Sequence, residues 1–264
     1  MPEISPKAKK AFETMESSGM MSWVGGGDPS TIGSVCFDAI AAVVELKPNM
    51  RVLDFGCGIG RNTILMADFL SEGELLGVDI VPRMISFCQT QITEMYPNTS
   101  FMLSSTENPL YAKYQDNSNI ESIDINKWAR ENKSTFDLIY AFSVFTHLDP
   151  KMAQSTMDLF ALLAKPGGSV FFTTFLDHQD NPPQHKLQSG EDFRDCEQES
   201  LLWVVYAPSF LLNMAHKSGF LAKNVLFGSR PGAVLTGAGG GQPQDAIVLT
   251  KLVPMPADFD PEVY

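Results

Sequence analysis

An α/β fold, doubly wound, with helices on both faces of a parallel sheet, is the class this sequence predicts, and three observations predict it. From Arg51 onward, short apolar runs alternate regularly with stretches of helical periodicity. The first apolar run, Arg51-Val52-Leu53-Asp54-Phe55, leads straight into glycines at alternate positions, Gly56, Gly58 and Gly60. The second ends on an acidic residue, Gly77-Val78-Asp79-Ile80. Right-handed crossovers then bring the strand C-termini to one edge, and a ligand is expected there, at the switch point beside the first strand.

The elements follow in order. Residues 1 to 50 carry two helical patterns, near 7 to 16 and near 30 to 46. The second opens on Asp28-Pro29-Ser30 and repeats Ile32, Val35, Ala39, Ile40, Val43 and Val44 at helical spacing. Between them lies Met20-Met21-Ser22-Trp23-Val24-Gly25-Gly26-Gly27, a Trp before three glycines, which is not core-building sequence. The alternation then predicts a strand at 51–55, a helix at 61–71, a strand at 74–79, a helix at 82–95 and a strand at 100–103. Tyr111 to Ser134 is polar, with a short helix expected around Ile123 to Asn132, and reads as an insertion. The fourth strand and its loop are Phe136 to Leu148. Leu162-Leu163-Ala164-Lys165-Pro166-Gly167-Gly168-Ser169-Val170-Phe171-Phe172 is a helix end, a turn and the fifth strand. A second insertion, 177–206, holds Asp177-His178, Pro182-Pro183, His185 and the acidic run Glu191 to Glu199. A helix at 207–218 ends in Ser218-Gly219-Phe220, a glycine C-cap, and leads to a strand at 220–227. Arg230 to Pro243 is Gly-rich, Gln244 to Lys251 is the last strand, and 254–264 is a Pro- and Asp-rich tail. The division expected is an N-terminal helical cap at 1–50, a core at 51–253 and the tail.

Composition narrows the partners. A chain of 264 residues, 44% hydrophobic, can bury a sizeable core. Its 19 Lys+Arg stand against 31 Asp+Glu, net −12, which gives no electrostatic footprint for nucleic acid or an anionic membrane. A small-molecule partner is favoured. Lys7, Lys9 and Lys10 read as the solvated face of a short helix. Cys36, Cys57, Cys88 and Cys196 are far apart, form no C-x-x-C pair, and read as free thiols in a reducing compartment. With no signal-like start and no apolar run of membrane length, a cytoplasmic location is expected. No metal site is expected: Asp177, His178, His185 and Asp149 together match no closed set.

The glycine spacing is G-x-G-x-G, not the G-x-G-x-x-G of dinucleotide sites, whose third glycine falls one position later. Asp54, two positions before the first glycine, would repel a pyrophosphate but suits an ammonium group, directly or through water. A zwitterionic nucleoside is the ligand this suggests.

Taken with the 74–79, 136–148 and 162–172 motifs, this segment closely resembles the class I S-adenosylmethionine-dependent methyltransferases, over roughly residues 51 to 252. The resemblance implies a Rossmann-like, doubly wound, seven-stranded, mostly parallel sheet with an antiparallel final strand. It implies S-adenosyl-L-methionine as cofactor and S-adenosyl-L-homocysteine as product. It assigns Gly56, Cys57, Gly58 and Gly60, with Asp54, to the methionine portion, and Asp79 to the ribose hydroxyls. Ile80 and Met84 fall to the adenine. For the adenine edge the usual Gly-Asp-Ala is absent and Ser104-Ser105-Thr106-Glu107 stands instead, leaving Ser105, Thr106 and Glu107 open, with Thr106 and Glu107 carried forward. Ala141, Phe142 and Ser143 should line the methionine side, and Trp23 lies in a segment that folds over it in relatives. His147, past the fourth strand, is the candidate general base, with His178 and His185 after the fifth strand as further candidates. Trp203 and Tyr206 are expected pocket walls. The loops are similar to those of bacterial enzymes of sugar and secondary-metabolite pathways, which favours O-methylation of a small-molecule hydroxyl. N-methylation, and a non-catalytic cofactor-binding partner subunit, are the alternatives. A nicotinamide-dependent oxidoreductase is disfavoured by the glycine spacing.

Overall fold

The computed structural model describes residues 4–114, 120–179, 181, 183–196, 201–228 and 244–253. The Gly-rich stretch from 230, the end of the acidic run, part of the first insertion and the tail lie outside the described residues.

Two helices come first, α1 (Pro6–Glu16) and α2 (Pro29–Ala41). The Ser5 and Asp28 side chains accept from Ala8 N and Thr31 N and so cap them, each cap contributing about 1 kcal/mol. Helix α2 is shorter than its periodicity predicts. Both Val43 N and Val44 N turn back to Ile40 O, a tightened last turn, and Pro48 follows. The regular part runs β1 (Arg51–Phe55), α3 (Thr63–Phe69), β2 (Glu74–Asp79), α4 (Pro82–Phe87) and, after a π-helical turn at Cys88–Ile92, α5 (Thr93–Met95). Then come β3 (Thr99–Ser104), β4 (Ser122–Ile123), α6 (Ile125–Glu131), β5 (Phe136–Ala141), α7 (Pro150–Leu163) and β6 (Ala164–Leu176). The last elements are β7 (Phe193–Asp195), β8 (Val204–Tyr206), α8 (Pro208–Lys217), β9 (Phe220–Leu226) and β10 (Asp245–Lys251).

The sheet order is β4-β3-β2-β1-β5-β6-β10-β9, parallel throughout except for β10, which is antiparallel to both neighbours. The seven expected strands are present, and three short ones join them. All three, β4, β7 and β8, arise in the segments read as insertions; β8 continues the sheet beside Phe175 and Leu176 at the end of β6. The Lys-Pro-Gly-Gly turn before the fifth strand is a bulge rather than a loop. Between Phe136↔Ala164 and Leu138↔Ser169 the register slips, and Gly167 absorbs it at φ +78°.

Alternation along each strand splits the core into two layers. Val52, Leu138, Tyr140 and Phe171 pack with Ala8, Phe12, Ile40, Ile64 and Ile85 on one face. Their neighbours Leu53, Ile139, Ala141 and Phe172 pack with Ala153, Phe160, Leu211 and Met214 on the other. Both faces of the central strands are therefore covered, and polar chemistry is left to the strand ends. No helix among the described residues is long and apolar enough to cross a membrane.

Candidate functional site

A cleft of about 920 Å³ opens at the C-terminal edge of β1, β2 and β5, within the size of small-molecule sites. At one end the chain leaves β1 and turns sharply. Gly56 N and Cys57 N both donate to Val78 O, at 2.8 and 3.1 Å, tying the turn to β2. Gly58, at φ +55°, donates its N–H to Asp79 Oδ2 at 2.8 Å, while Ile80 N and Val81 N donate to Oδ1 at 2.7 and 3.0 Å. Asp79 thus joins the glycine turn to the end of the second strand. Burial raises its pKa, against the three main-chain N–H groups that favour the carboxylate.

The turn is closely covered. A Cβ on Gly56 would lie 2.4 Å from Val144 Cγ2, and one on Gly58 would lie 2.8 Å from Val24 Cγ1. Val24 belongs to a 3₁₀ turn, Met21–Val24, that carries Trp23 over the cleft. There the Trp23 ring lies 4.9 Å from Tyr114 and 5.3 Å from the Arg83 guanidinium. Arg61 reaches back beneath this segment, Nη1 donating to Gly26 O at 3.0 Å.

Trp23, Gly56, Cys57, Gly58, Asp79, Ile80, Met84, Thr106, Glu107, Phe142, Ser143 and His147 all line the cleft. Ser105 does not; its N–H donates to Ile123 O, in the pairing of β3 with β4, which narrows the open choice to Thr106 and Glu107. Asp54, Gly60, Ala141 and His178, expected at the site, are not among the lining residues, and neither are His185 and Tyr206. Asp54 is 1% exposed, points into the helical layer, and accepts from Thr63 Oγ1 at 2.7 Å. Burial pushes its pKa up to about 7, so it is a core carboxyl that resists ionisation rather than an ammonium partner. Gly60 faces Cys88 and Ile92, where a Cβ would sit 3.4 and 3.5 Å away; its φ of +83° serves the turn into α3. Ala141, the last residue of β5, points into the layer holding Phe145 and Phe172. His178 lies beyond β6 with Nε2 3.9 Å from Asp245 Oδ1 and its ring against Phe227.

The other end of the cleft is built from turns and from the insertions. His147 ends a 3₁₀ turn, Phe145–His147, and its Nδ1 lies 3.0 Å from Leu201 O. A carbonyl only accepts, so Nδ1 carries the proton and the neutral ring keeps its lone pair on Nε2. Burial lowers the His147 pKa, which keeps that neutral form in place at physiological pH. Tyr111 stands edge-on to the ring at 6.1 Å, and Asn108 Nδ2 donates to His147 O at 3.2 Å. Trp203 lines the cleft, clamped between Phe175 at 4.1 Å and His185 at 4.3 Å. Tyr206 stands behind this wall, its hydroxyl donating to Leu148 O at 2.5 Å. Among the described residues no cluster of three His, Cys, Asp or Glu forms a metal site.

Sequence reasoning passed over Arg61, Asn62, Tyr111 and Gln244, which also line the cleft. Arg61 and Asn62 had a visible signal, polar groups directly after the third glycine. Tyr111 and Gln244 had none, because only the fold brings them there. The buried Arg61 Nε and Asn62 Oδ1 have no hydrogen-bond partner. A donor and an acceptor left unpaired at the glycine end, in a pocket that the Asp79 carboxylate also lines, fit a nucleoside that carries an amino-acid group.

Comparison with known proteins agrees with this geometry. Residues 31–222 match the model of a family described as a methyltransferase domain. Phosphoethanolamine N-methyltransferase 3 of Arabidopsis thaliana is 28% identical over 189 residues, 69% of this chain and 34% of that protein, so the chain spans about a third of that relative's length. A probable thiol methyltransferase 2 of the same plant is 25% identical over 173 residues, 64% of this chain and 67% of that protein. Among solved structures, human N-acetylserotonin methyltransferase in complex with S-adenosylmethionine superimposes with a TM-score of 0.55 at 16% identity, covering 91% of this chain and 57% of that one.

Proposed function

The chain belongs to the methyltransferase-domain family, and from that premise we propose that it is a class I S-adenosylmethionine-dependent enzyme that transfers a methyl group from S-adenosylmethionine to a hydroxyl of a small molecule. The observation that carries the reading is the Gly58–Asp79 hydrogen bond at the head of a cleft whose far end holds His147. When bound, the cofactor supplies an electrophilic methyl on a sulfonium centre. Each side chain then has a task. Asp79, with a lone pair left on Oδ2 beside its three N–H partners, accepts from a ribose hydroxyl. Arg61 Nε and Asn62 Oδ1 take the carboxylate and ammonium of the amino-acid end. Ile80 and Met84 lie against the adenine, and Thr106 and Glu107 read its edge.

Methyl transfer is an in-line displacement, so the protein's contribution is mostly positioning and exclusion of water. Tyr111, Phe142, Trp203 and Trp23 enclose the space in which the acceptor meets the methyl. His147 Nε2 accepts the acceptor's hydroxyl proton as its oxygen attacks, and the Leu201 carbonyl holds the ring in the tautomer this requires. In this reading residues 1–50 cap the glycine end of the core at 51–253. A sugar or secondary metabolite is the acceptor class we favour. A second reading, an amine acceptor, has the similarity to a phosphoethanolamine N-methyltransferase in its support; His147 would then dispose of the ammonium proton.

Incubation with methyl-labelled S-adenosylmethionine and a panel of hydroxyl- and amine-bearing small molecules tests the choice. A labelled ether supports the first reading and a labelled amine the second. No labelled product from a protein that binds the cofactor would contradict both.

A further inference from the structure

Where β5 ends, Ser143 sits in the left-handed region at φ +57° although it is not a glycine. Two side chains hold it there, those of Thr173 and Gln244. Its N–H donates to Thr173 Oγ1 at 2.7 Å, and that hydroxyl donates in turn to Gln244 Oε1 at 2.5 Å. Gln244 Nε2 returns to Ser143 Oγ at 2.8 Å. Ser143 Oγ also lies 3.1 Å from Gln244 Oε1, and the result is a closed ring of hydrogen bonds joining the turn after β5, β6 and the residue that precedes β10. Thr173 is 1% exposed at its centre, and Ser143 and Gln244 line the cleft on either side.

The ring is anchored from the next residue as well. Asp245 is 3% exposed, and its carboxylate accepts from Leu176 N at 2.7 Å and Gly228 N at 2.9 Å. Gln244 is thereby fixed at the start of β10 before it touches Ser143. The consequence falls on the next residue after Ser143: the backbone turn there sets Val144, whose Cγ2 occupies the space a Cβ on Gly56 would need. Phe142, on the other side, packs against Phe171 at 5.3 Å. A change at Gln244 therefore reaches the glycine-rich turn through Ser143 and Val144, with no break in contact.

We propose that Gln244 is a positioning residue for the cofactor half of the site: by holding Ser143 left-handed it fixes Phe142 and Val144 against the glycine turn. The proposal rests on the reading of this cleft as the S-adenosylmethionine site. It makes a specific claim about mechanism of action, since what Gln244 supplies is a backbone conformation, and a glycine adopts that conformation without help.

A double-mutant cycle tests it. Gln244→Met keeps length and removes the hydrogen bonds; Ser143→Gly lets the φ value stand unaided. S-adenosylhomocysteine affinity is measured by calorimetry for the native protein and each variant, with thermal melts alongside to follow folding. Native binding is checked first: its absence contradicts the cofactor reading itself. With binding present, Gln244→Met is expected to weaken it roughly tenfold with a melting temperature near native. The double variant is expected to bind within about threefold of Ser143→Gly alone. Native-like affinity in Gln244→Met overturns the proposal, as does a double variant whose losses simply multiply. If Gln244→Met fails to fold, Gln244→Ala removes every hydrogen bond from this side chain to Ser143 and Thr173; an unchanged affinity there overturns the proposal equally.

Discussion

The two ends of the cleft are made differently. The glycine end is local: Gly56 and Gly58 in the turn after β1 and Asp79 at the end of β2, held by hydrogen bonds from main-chain N–H groups at 2.8–3.1 Å. The His147 end is assembled from parts distant in sequence, with Tyr111 from one insertion, Leu201 and Trp203 from another, joined by ring contacts and by side-chain hydrogen bonds to carbonyls. On the proposed reading, the end that holds one unchanging cofactor is built into the sheet's own turns, and the end that would choose an acceptor is carried on segments the sheet does not need, which is how one fold serves many substrates.

That contrast sets the order of expected effects. Gly58→Val should abolish S-adenosylhomocysteine binding while leaving a cooperative melt. The left-handed φ of +55° costs a branched residue on the order of 1–2 kcal/mol, and the new side chain meets Val24. Retained binding in calorimetry would mean the glycines serve the turn alone. His147→Gln should lower turnover about a hundredfold and leave cofactor affinity unchanged, because the ring belongs to the other end. The pH profile sharpens this: burial lowers the His147 pKa, so native activity should rise with pH through a point below the ordinary histidine value and then level off. That limb should vanish in the variant. The same shift makes stability fall as pH drops below the unfolded histidine value, where the unfolded chain takes up the proton first.

A smaller loss is expected from Asp79→Asn, which turns an accepting oxygen into a donor facing either Gly58 N–H or the Ile80 and Val81 N–H groups. Cofactor binding should weaken by roughly 1–3 kcal/mol, measured by calorimetry at matched folding. Smallest of all is Asp54→Asn, expected to leave binding intact because that carboxyl faces Thr63. Its signature is in stability. A carboxyl whose folded pKa is raised from 3.8 to about 7 weakens the native state as pH climbs through that window. The uncharged amide does not, so the melting temperature of the variant relative to native should rise from pH 4 to pH 7 and then level off. A loss of cofactor affinity would return Asp54 to the site.

The same contrast explains what could be read from the sequence. Strand and helix positions were legible because burial on both sheet faces imposes continuous apolar runs, and the glycine turn because its φ values demand glycine. Asp54 was misplaced because strand periodicity, two positions before a glycine, does not say which face the side chain takes near the strand end. Ala141 failed for the same reason. His178 was misplaced because the chain beyond β6 bends towards Asp245 instead of the cleft. Tyr111 and Gln244 were invisible, since each depends on a long-range contact: Tyr111 with His147, and Gln244 with Ser143, 101 residues away.

The central claim is that the Gly58–Asp79 joint heads an S-adenosylmethionine site. Calorimetric titration of the native protein and of Gly58→Val with S-adenosylhomocysteine, and with NAD for comparison, tests it most directly. Saturable binding of S-adenosylhomocysteine to the native protein, absent in the variant and with no binding of NAD, is the predicted result. Binding of NAD in its place, or S-adenosylhomocysteine binding that survives in Gly58→Val, would contradict it.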